Sequence, residues 1–160
     1  MKVLLLGNGA REHAMAWALK RSPIVTSLTI APGNSGTAML GENVPLDPAN
    51  VNGVLDLVSE KKIDLVVVGP EAPLVMGVSD ACREKGIPVF GPGKKGALLE
   101  GSKAFSKNFM KKYRIPTAPF DICNHLGEVE KALKKRTAPY VVKADGLAAG
   151  KGAFIIDDLQ

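Results

Sequence analysis

Four short strand-like runs, each halted by a glycine- or proline-rich loop, constrain this chain more than any other feature. Val3 to Leu6 is apolar throughout and stops at Gly7-Asn8-Gly9. Leu28 to Ile30 stops at Ala31-Pro32-Gly33-Asn34, Ile63 to Val68 at Gly69-Pro70-Glu71-Ala72-Pro73, and Val89-Phe90 at Gly91-Pro92-Gly93. A strand that is apolar at every position, rather than at alternate ones, is buried on both faces, which is the condition of a parallel sheet held between helices. The intervening segments supply those helices. Ala14, Met15, Trp17, Ala18 and Leu19 recur at helical spacing. Asp47-Pro48 reads as an N-cap followed by proline at the first helical position, opening a helix through Val51, Val54, Leu55 and Val58. Val78 to Lys85 reads as a helix closed by Gly86. The expected fold class is α/β, a parallel sheet with right-handed crossovers, and its ligands belong beyond the carboxyl ends of the strands.

After Glu100-Gly101 the character changes. Ser102 is a candidate N-cap for a lysine-rich helix to about Tyr113, followed by the proline-punctuated Ile115-Pro116-Thr117-Ala118-Pro119. A short strand is expected near Phe120 to Ile122, a helix near Glu128 to Lys135, a strand at Tyr140 to Lys143 and a last strand at Ala153 to Ile156. Two domains are therefore expected, residues 1–100 and 101–160. Charge divides along similar lines. From Met1 to Gly93 there are 8 Lys+Arg against 9 Asp+Glu, whereas from Lys94 to Lys151 there are 13 against 5. Aromatic residues make up only 5% of the chain and are not interleaved with arginine, so stacking on single-stranded nucleic acid is not expected. The amino terminus, Met1 to Leu6, has one cation and an apolar run too short for a signal sequence or a membrane span, which points to a soluble, cytoplasmic protein. Cys82 and Cys123 have no second cysteine or histidine at metal-ligand spacing and are expected to be reduced and buried.

Two segments carry chemistry by their residue types. Gly7-Asn8-Gly9-Ala10-Arg11-Glu12 begins like the dinucleotide fingerprint G-x-G-x-x-G but has Glu12 in place of the third glycine, which argues against NAD. A helix start after two glycines can still receive a single phosphate, with Arg11 adding charge. His13, alone in that helix, reads as a packing residue or one supporting a site from behind rather than a catalyst, and Glu71 as a carboxylate on a rigid loop that is either solvated or binds a substrate hydroxyl or amine. The second segment is Lys143-Ala144-Asp145-Gly146-Leu147-Ala148-Ala149-Gly150-Lys151-Gly152. It is not a Walker loop, because no Ser or Thr follows Lys151 and the next element reads as a strand. A glycine-rich hairpin that closes over phosphates fits better, with backbone amides aimed at oxygens and Lys143 supplying a point charge.

Taken in order, these loops resemble the amino-terminal part of the glycinamide ribonucleotide synthetase (phosphoribosylamine-glycine ligase) family of the ATP-grasp superfamily. The residues that carry the resemblance are Gly7-Asn8-Gly9 with Arg11-Glu12-His13, Ala31-Pro32-Gly33-Asn34, Gly69-Pro70-Glu71-Ala72-Pro73-Leu74, Phe90-Gly91-Pro92, Leu99-Glu100-Gly101-Ser102-Lys103 and the Lys143–Gly152 loop. The resemblance implies a Rossmann-like parallel-sheet domain followed by the start of an ATP-grasp domain. It further implies ATP-dependent ligation of glycine to 5-phosphoribosylamine through an acyl phosphate. By the same resemblance, Gly7, Asn8, Gly9, Arg11 and Glu71 are candidates for binding phosphoribosylamine. Lys103, Lys143, Asp145, Gly146, Gly150, Lys151 and Gly152 are candidates for binding ATP.

In that family the Mg²⁺ or Mn²⁺ ligands and the adenine-binding hinge come after the position of Gln160, so no metal ligand and no catalytic residue is assigned here. The expectation is of a truncated enzyme that is inactive alone. The alternatives are a non-catalytic sugar-phosphate-binding module or another ATP-grasp ligase of purine metabolism. The partners expected are small molecules, namely 5-phosphoribosylamine, glycine and ATP, with no nucleic acid and no membrane.

Overall fold

The computed structural model describes residues 1–148 and 150–158; Ala149 of the glycine-rich loop lies outside the described residues, as do Leu159 and Gln160. The chain divides into two compact units, Met1–Leu98 and the residues from Leu99 on. Among the described residues no helix is long and apolar enough to cross a membrane.

The first unit is built on five parallel strands: β1 (Lys2–Gly7), β2 (Ser27–Pro32), β3 (Glu42–Asn43), β4 (Leu65–Val68) and β5 (Val89–Phe90), in the order β3-β2-β1-β4-β5. β1 is central, and each side of it feeds a different half of the core. Val3 and Leu5 pack with Ala16, Leu28, Ile30 and Val67 on one face. Leu4 and Leu6 pack with Val54, Leu57, Val58, Val66, Val68, Val78 and Cys82 on the other. Helix α1 (Ala10–Lys20) supplies Ala16 to the first face, whereas α2 (Val51–Lys61) and α4 (Val78–Glu84) cover the second. All four residues from Val3 to Leu6 are fully inaccessible, as an uninterrupted apolar strand requires.

Several local expectations change. The N-cap of α2 is Asn50, whose side chain accepts from the Gly53 amide at 3.1 Å. Asp47 instead accepts from the Ala49 amide at 2.9 Å, forming a turn ahead of the helix. The third apolar run is strand only from Leu65; Ile63 is buried before it, and Asp64 accepts from the Lys2 amide at 2.6 Å. Glu71 is not on a loop but opens a short helix, α3 (Glu71–Met76), which tolerates Pro73 because first-turn amides need no partner within the helix. A further helix, α5 (Lys94–Gly101), was not expected; the Asp80 carboxylate receives its first amide, that of Lys94, at 2.6 Å. Cys82 is buried, but Cys123 is only half-buried.

The second unit contains α6 (Lys103–Lys112), α7 (Leu126–Leu133) and an antiparallel hairpin of β6 (Tyr140–Lys143) and β7 (Ala153–Ile156). Ser102 caps α6 by accepting from the Phe105 amide at 3.1 Å. Phe120 to Ile122 is irregular rather than strand. Within this segment the Asp121 carboxylate pairs with Arg136 at 2.6 Å, so a side-chain tie takes the place of a ladder.

Candidate functional site

In the first unit the loops at the carboxyl ends of the strands come together around Glu12. This carboxylate, at the third position of α1, is 3% exposed despite its charge. Its Oε2 accepts from the amide of Gly9, the residue that caps α1, at 2.7 Å. That is one half of a capping box, and a glycine cap has no side chain to supply the other. Oε1 accepts from Arg11 Nε at 2.8 Å, and Arg11 Nη1 reaches Glu71 Oε1 at 3.0 Å. One guanidinium therefore lies between two carboxylates, one buried and one on the rim. Both carboxylates hold the arginine in its charged form, with the Glu71 hydrogen bond the larger influence. Reciprocally, Arg11 holds Glu71 below the ordinary carboxylate range.

Gly7, Gly9 and Gly69 gather around the same side chain. A Cβ at Gly7 or Gly69 would overlap the Glu12 carboxyl group, and one at Gly9 would lie 3.0 Å from Oε2. Gly7 also has φ +125°, a conformation that favours glycine. These glycines thus make room for Glu12. A phosphate at this turn would compete with the Glu12 carboxylate for the Gly9 amide.

The neighbouring loop is equally well tied. Asn34 Nδ2 donates to the Asn8 carbonyl at 2.8 Å, and Thr37, fully buried, donates its amide to Asn34 Oδ1 at 2.9 Å. Asn43 Nδ2 donates to the Asn34 carbonyl at 2.7 Å, which explains how a strand as short as β3 holds its place. His13 is exposed and lies beside Gly36, where a Cβ would come 2.9 Å from its Cε1. The sequence signal for these missed tethers was the clustering of Asn and Thr just after a strand, since their short polar side chains bond nearby backbone.

In the second unit, Asp145 joins the glycine-rich loop to α6. Its Oδ1 accepts from the Lys103 amide at 2.6 Å and the Ala104 amide at 3.2 Å, and its Oδ2 accepts from Ser102 Oγ at 3.0 Å. These bonds, led by that from Ala104, lower the Asp145 pKa below the ordinary value. Lys103 Nζ donates to the Gly146 carbonyl at 2.7 Å. Two segments more than forty residues apart are thereby brought side by side. Lys143 stands exposed at the end of β6, and Gly146 and Gly150 take positive φ of +83° and +77°. Backbone at these angles turns without strain at glycine. Among the described residues no group of three or more His, Cys, Asp or Glu is placed to hold a metal ion.

Comparison with known proteins follows the same division. Residues 1–100 match the family described as phosphoribosylglycinamide synthetase, N domain, and residues 101–160 match phosphoribosylglycinamide synthetase, ATP-grasp (A) domain. The phosphoribosylamine–glycine ligase of Clostridium acetobutylicum is 52% identical over 162 residues, covering 100% of this chain and 38% of that protein. The ligase of the same name from Escherichia coli K12 is 48% identical over 165 residues, with the same coverage. The crystal structure of phosphoribosylamine–glycine ligase from Thermotoga maritima superposes with a TM-score of 0.80 at 38% identity, covering 99% of this chain and 36% of that one. The chain thus spans 38% of the length of the curated relatives it matches. With both halves matching consecutive domains of one enzyme, the chain belongs to the phosphoribosylglycinamide synthetase family.

Proposed function

We propose that the protein carrying this chain ligates glycine to 5-phosphoribosylamine with ATP, yielding glycinamide ribonucleotide, ADP and phosphate. The glycine carboxylate takes the γ-phosphoryl group of ATP, which releases ADP and leaves an acyl phosphate. The amine of phosphoribosylamine then attacks the acyl carbon, loses a proton and expels phosphate. Within this chain the second unit supplies the ATP contacts. The observation that carries the reading is the placement of Lys103 against Gly146, because it sets a lysine and a glycine-rich hairpin at one spot. Lys103 and Lys143 provide charge to the phosphates, while Gly146, Gly150, Lys151 and Gly152 form the cover. Asp145 contributes indirectly: an anion does not face phosphate, but it anchors the base of the hairpin to α6.

In the first unit, Glu71 accepts from ribose hydroxyls or the amine of phosphoribosylamine, with Arg11 fixing its orientation. Gly7, Asn8 and Gly9 line the approach. A divalent metal such as Mg²⁺ would neutralise the phosphates when bound; the described residues offer no ligand set for one, and none of the roles above depends on it. A cytoplasmic, small-molecule setting belongs to the same proposal and rests on family membership.

The test is ADP release that requires both glycine and phosphoribosylamine, measured in the protein that carries this chain. Lys143→Ala is expected to lower turnover by about a hundredfold, the scale of losing one charge-stabilising group. ATP hydrolysis indifferent to glycine would overturn the reading, whereas a requirement for another amine or acid would point to a different ligase of the same superfamily.

A further inference from the structure

We propose that Glu12 is a built-in anion that closes the first strand-to-helix turn to phosphate ligands, and so decides which class of molecule this end of the sheet receives. The helix start there attracts negative charge through its unpaired amides and dipole. That demand is met from within the chain, by a carboxylate 2.7 Å from the Gly9 amide and nearly inaccessible to water. The space is filled as well as the charge. Gly7, Gly9 and Gly69 pack around the Glu12 side chain, at the position where the dinucleotide fingerprint carries a glycine with no side chain at all.

Electrostatics point the same way. Glu12 and Glu71 share the single guanidinium of Arg11, so the trio carries a net negative charge and repels a further anion. What remains available is the rim carboxylate of Glu71, an acceptor for hydroxyl or amine donors. The chemical class selected is therefore a polyol or amine, with any phosphate group of the same ligand held elsewhere. The inference deepens the proposed substrate site, yet its test is separate: it reads the turn itself and stands or falls whether or not phosphoribosylamine is the ligand.

The probe is inorganic pyrophosphate, titrated into the isotope-labelled chain while the amide resonances of Gly7, Gly9 and Gly69 are followed. In the native chain these amides are expected not to respond, even if pyrophosphate binds at the glycine-rich loop and shifts resonances there. Glu12→Ala empties that space and frees the Gly9 amide, and is expected to give saturable shifts at these positions with affinity at least about tenfold above the native chain. Glu12→Gln keeps the filling and an acceptor for Gly9 but removes the charge, and is expected to take pyrophosphate with an affinity between those of the native and alanine forms. A native Gly9 amide that titrates saturably overturns the proposal. So does a folded Glu12→Ala chain that takes pyrophosphate no better than native. If the alanine variant does not fold, the native and glutamine arms decide: a silent native turn with a glutamine variant that takes pyrophosphate supports the built-in anion, whereas a native response, or a glutamine variant as silent as native, refutes it.

Discussion

The two units differ in what holds them. In Met1–Leu98 the strands are buried on both faces, and among the described residues every buried hydrophobic side chain lies at or before Ala97. From Leu99 on, no described residue is buried, and Phe154 and Ile155 of β7 are 59% and 73% exposed. The first unit is stabilised by apolar burial at roughly 1.5–3 kcal/mol per large side chain. The second is organised by polar ties: the Asp145 bridge to α6, the Arg136–Asp121 pair and the β6–β7 ladder. Such ties contribute about 1 kcal/mol each when water can replace them. The contrast teaches that the positions proposed for sugar binding rest on a core the first unit buries by itself, whereas the apolar residues of the second unit stay uncovered in a chain that spans 38% of its relatives' length.

The sharpest way to break this contrast is native-state hydrogen exchange. Amides of Leu4, Leu5, Val66 and Val67 are expected to exchange only through global unfolding, and those of Val142 and Phe154 at least about a thousandfold faster. Equal protection across both units would refute the difference. Next in size, Leu5→Ala removes a side chain that is wholly inaccessible, and is expected to cost about 2–5 kcal/mol in denaturant unfolding. Ile155→Ala, at an exposed position, is expected to change stability by less than about 0.5 kcal/mol.

Asp145→Ala tests the polar side of the comparison. It removes the acceptor for two α6 amides, and is expected to weaken the α6–hairpin tie by about 1 kcal/mol, read as faster exchange of the Ala104 amide with β1 protection unchanged. A further small effect is acid titration of the Arg11–Glu71 pair. The folded Glu71 has its pKa lowered, so its stabilisation is fully present above the unfolded carboxylate value and is lost as pH falls through the lower folded value. Because both partners are partly exposed, the loss is expected to stay below about 1 kcal/mol. Glu71→Gln should abolish that acid-side slope in a pH series of unfolding midpoints.

Much of the fold was legible because buried parallel strands write their burial directly as continuous apolar runs. Val3 to Leu6 and Val66 to Val68 needed no context to be read. The elements that were not legible depend on distant partners. Helix α5 carries glycines at Gly96 and Gly101, a poor local signal, and its first amide is received by Asp80 of α4. The helix at Glu71 was hidden by Pro70 and Pro73, which read as loop although the first turn accommodates proline. Phe120 to Ile122 has strand-like composition without a neighbouring strand to pair it, and composition alone cannot supply one.

The candidate sites divide in the same way. The glycine-rich loop announced itself, since several glycines with flanking lysines have few structural uses. Glu12 did not, for in sequence it was only a departure from a fingerprint.

The amino-acid sequence by itself determined the alternation of strand and helix through most of the first unit, the carboxyl ends of β1, β4 and β5 and the family to which the chain belongs, because these are carried by local apolar period and by loops of definite composition. Tertiary structure alone decided that the glycines at 7, 9 and 69 serve Glu12, and that Asp145 serves α6. The reason is physical: a buried carboxylate and a helix end find their partners through space, and nothing in the spacing along the chain records which amides will face them.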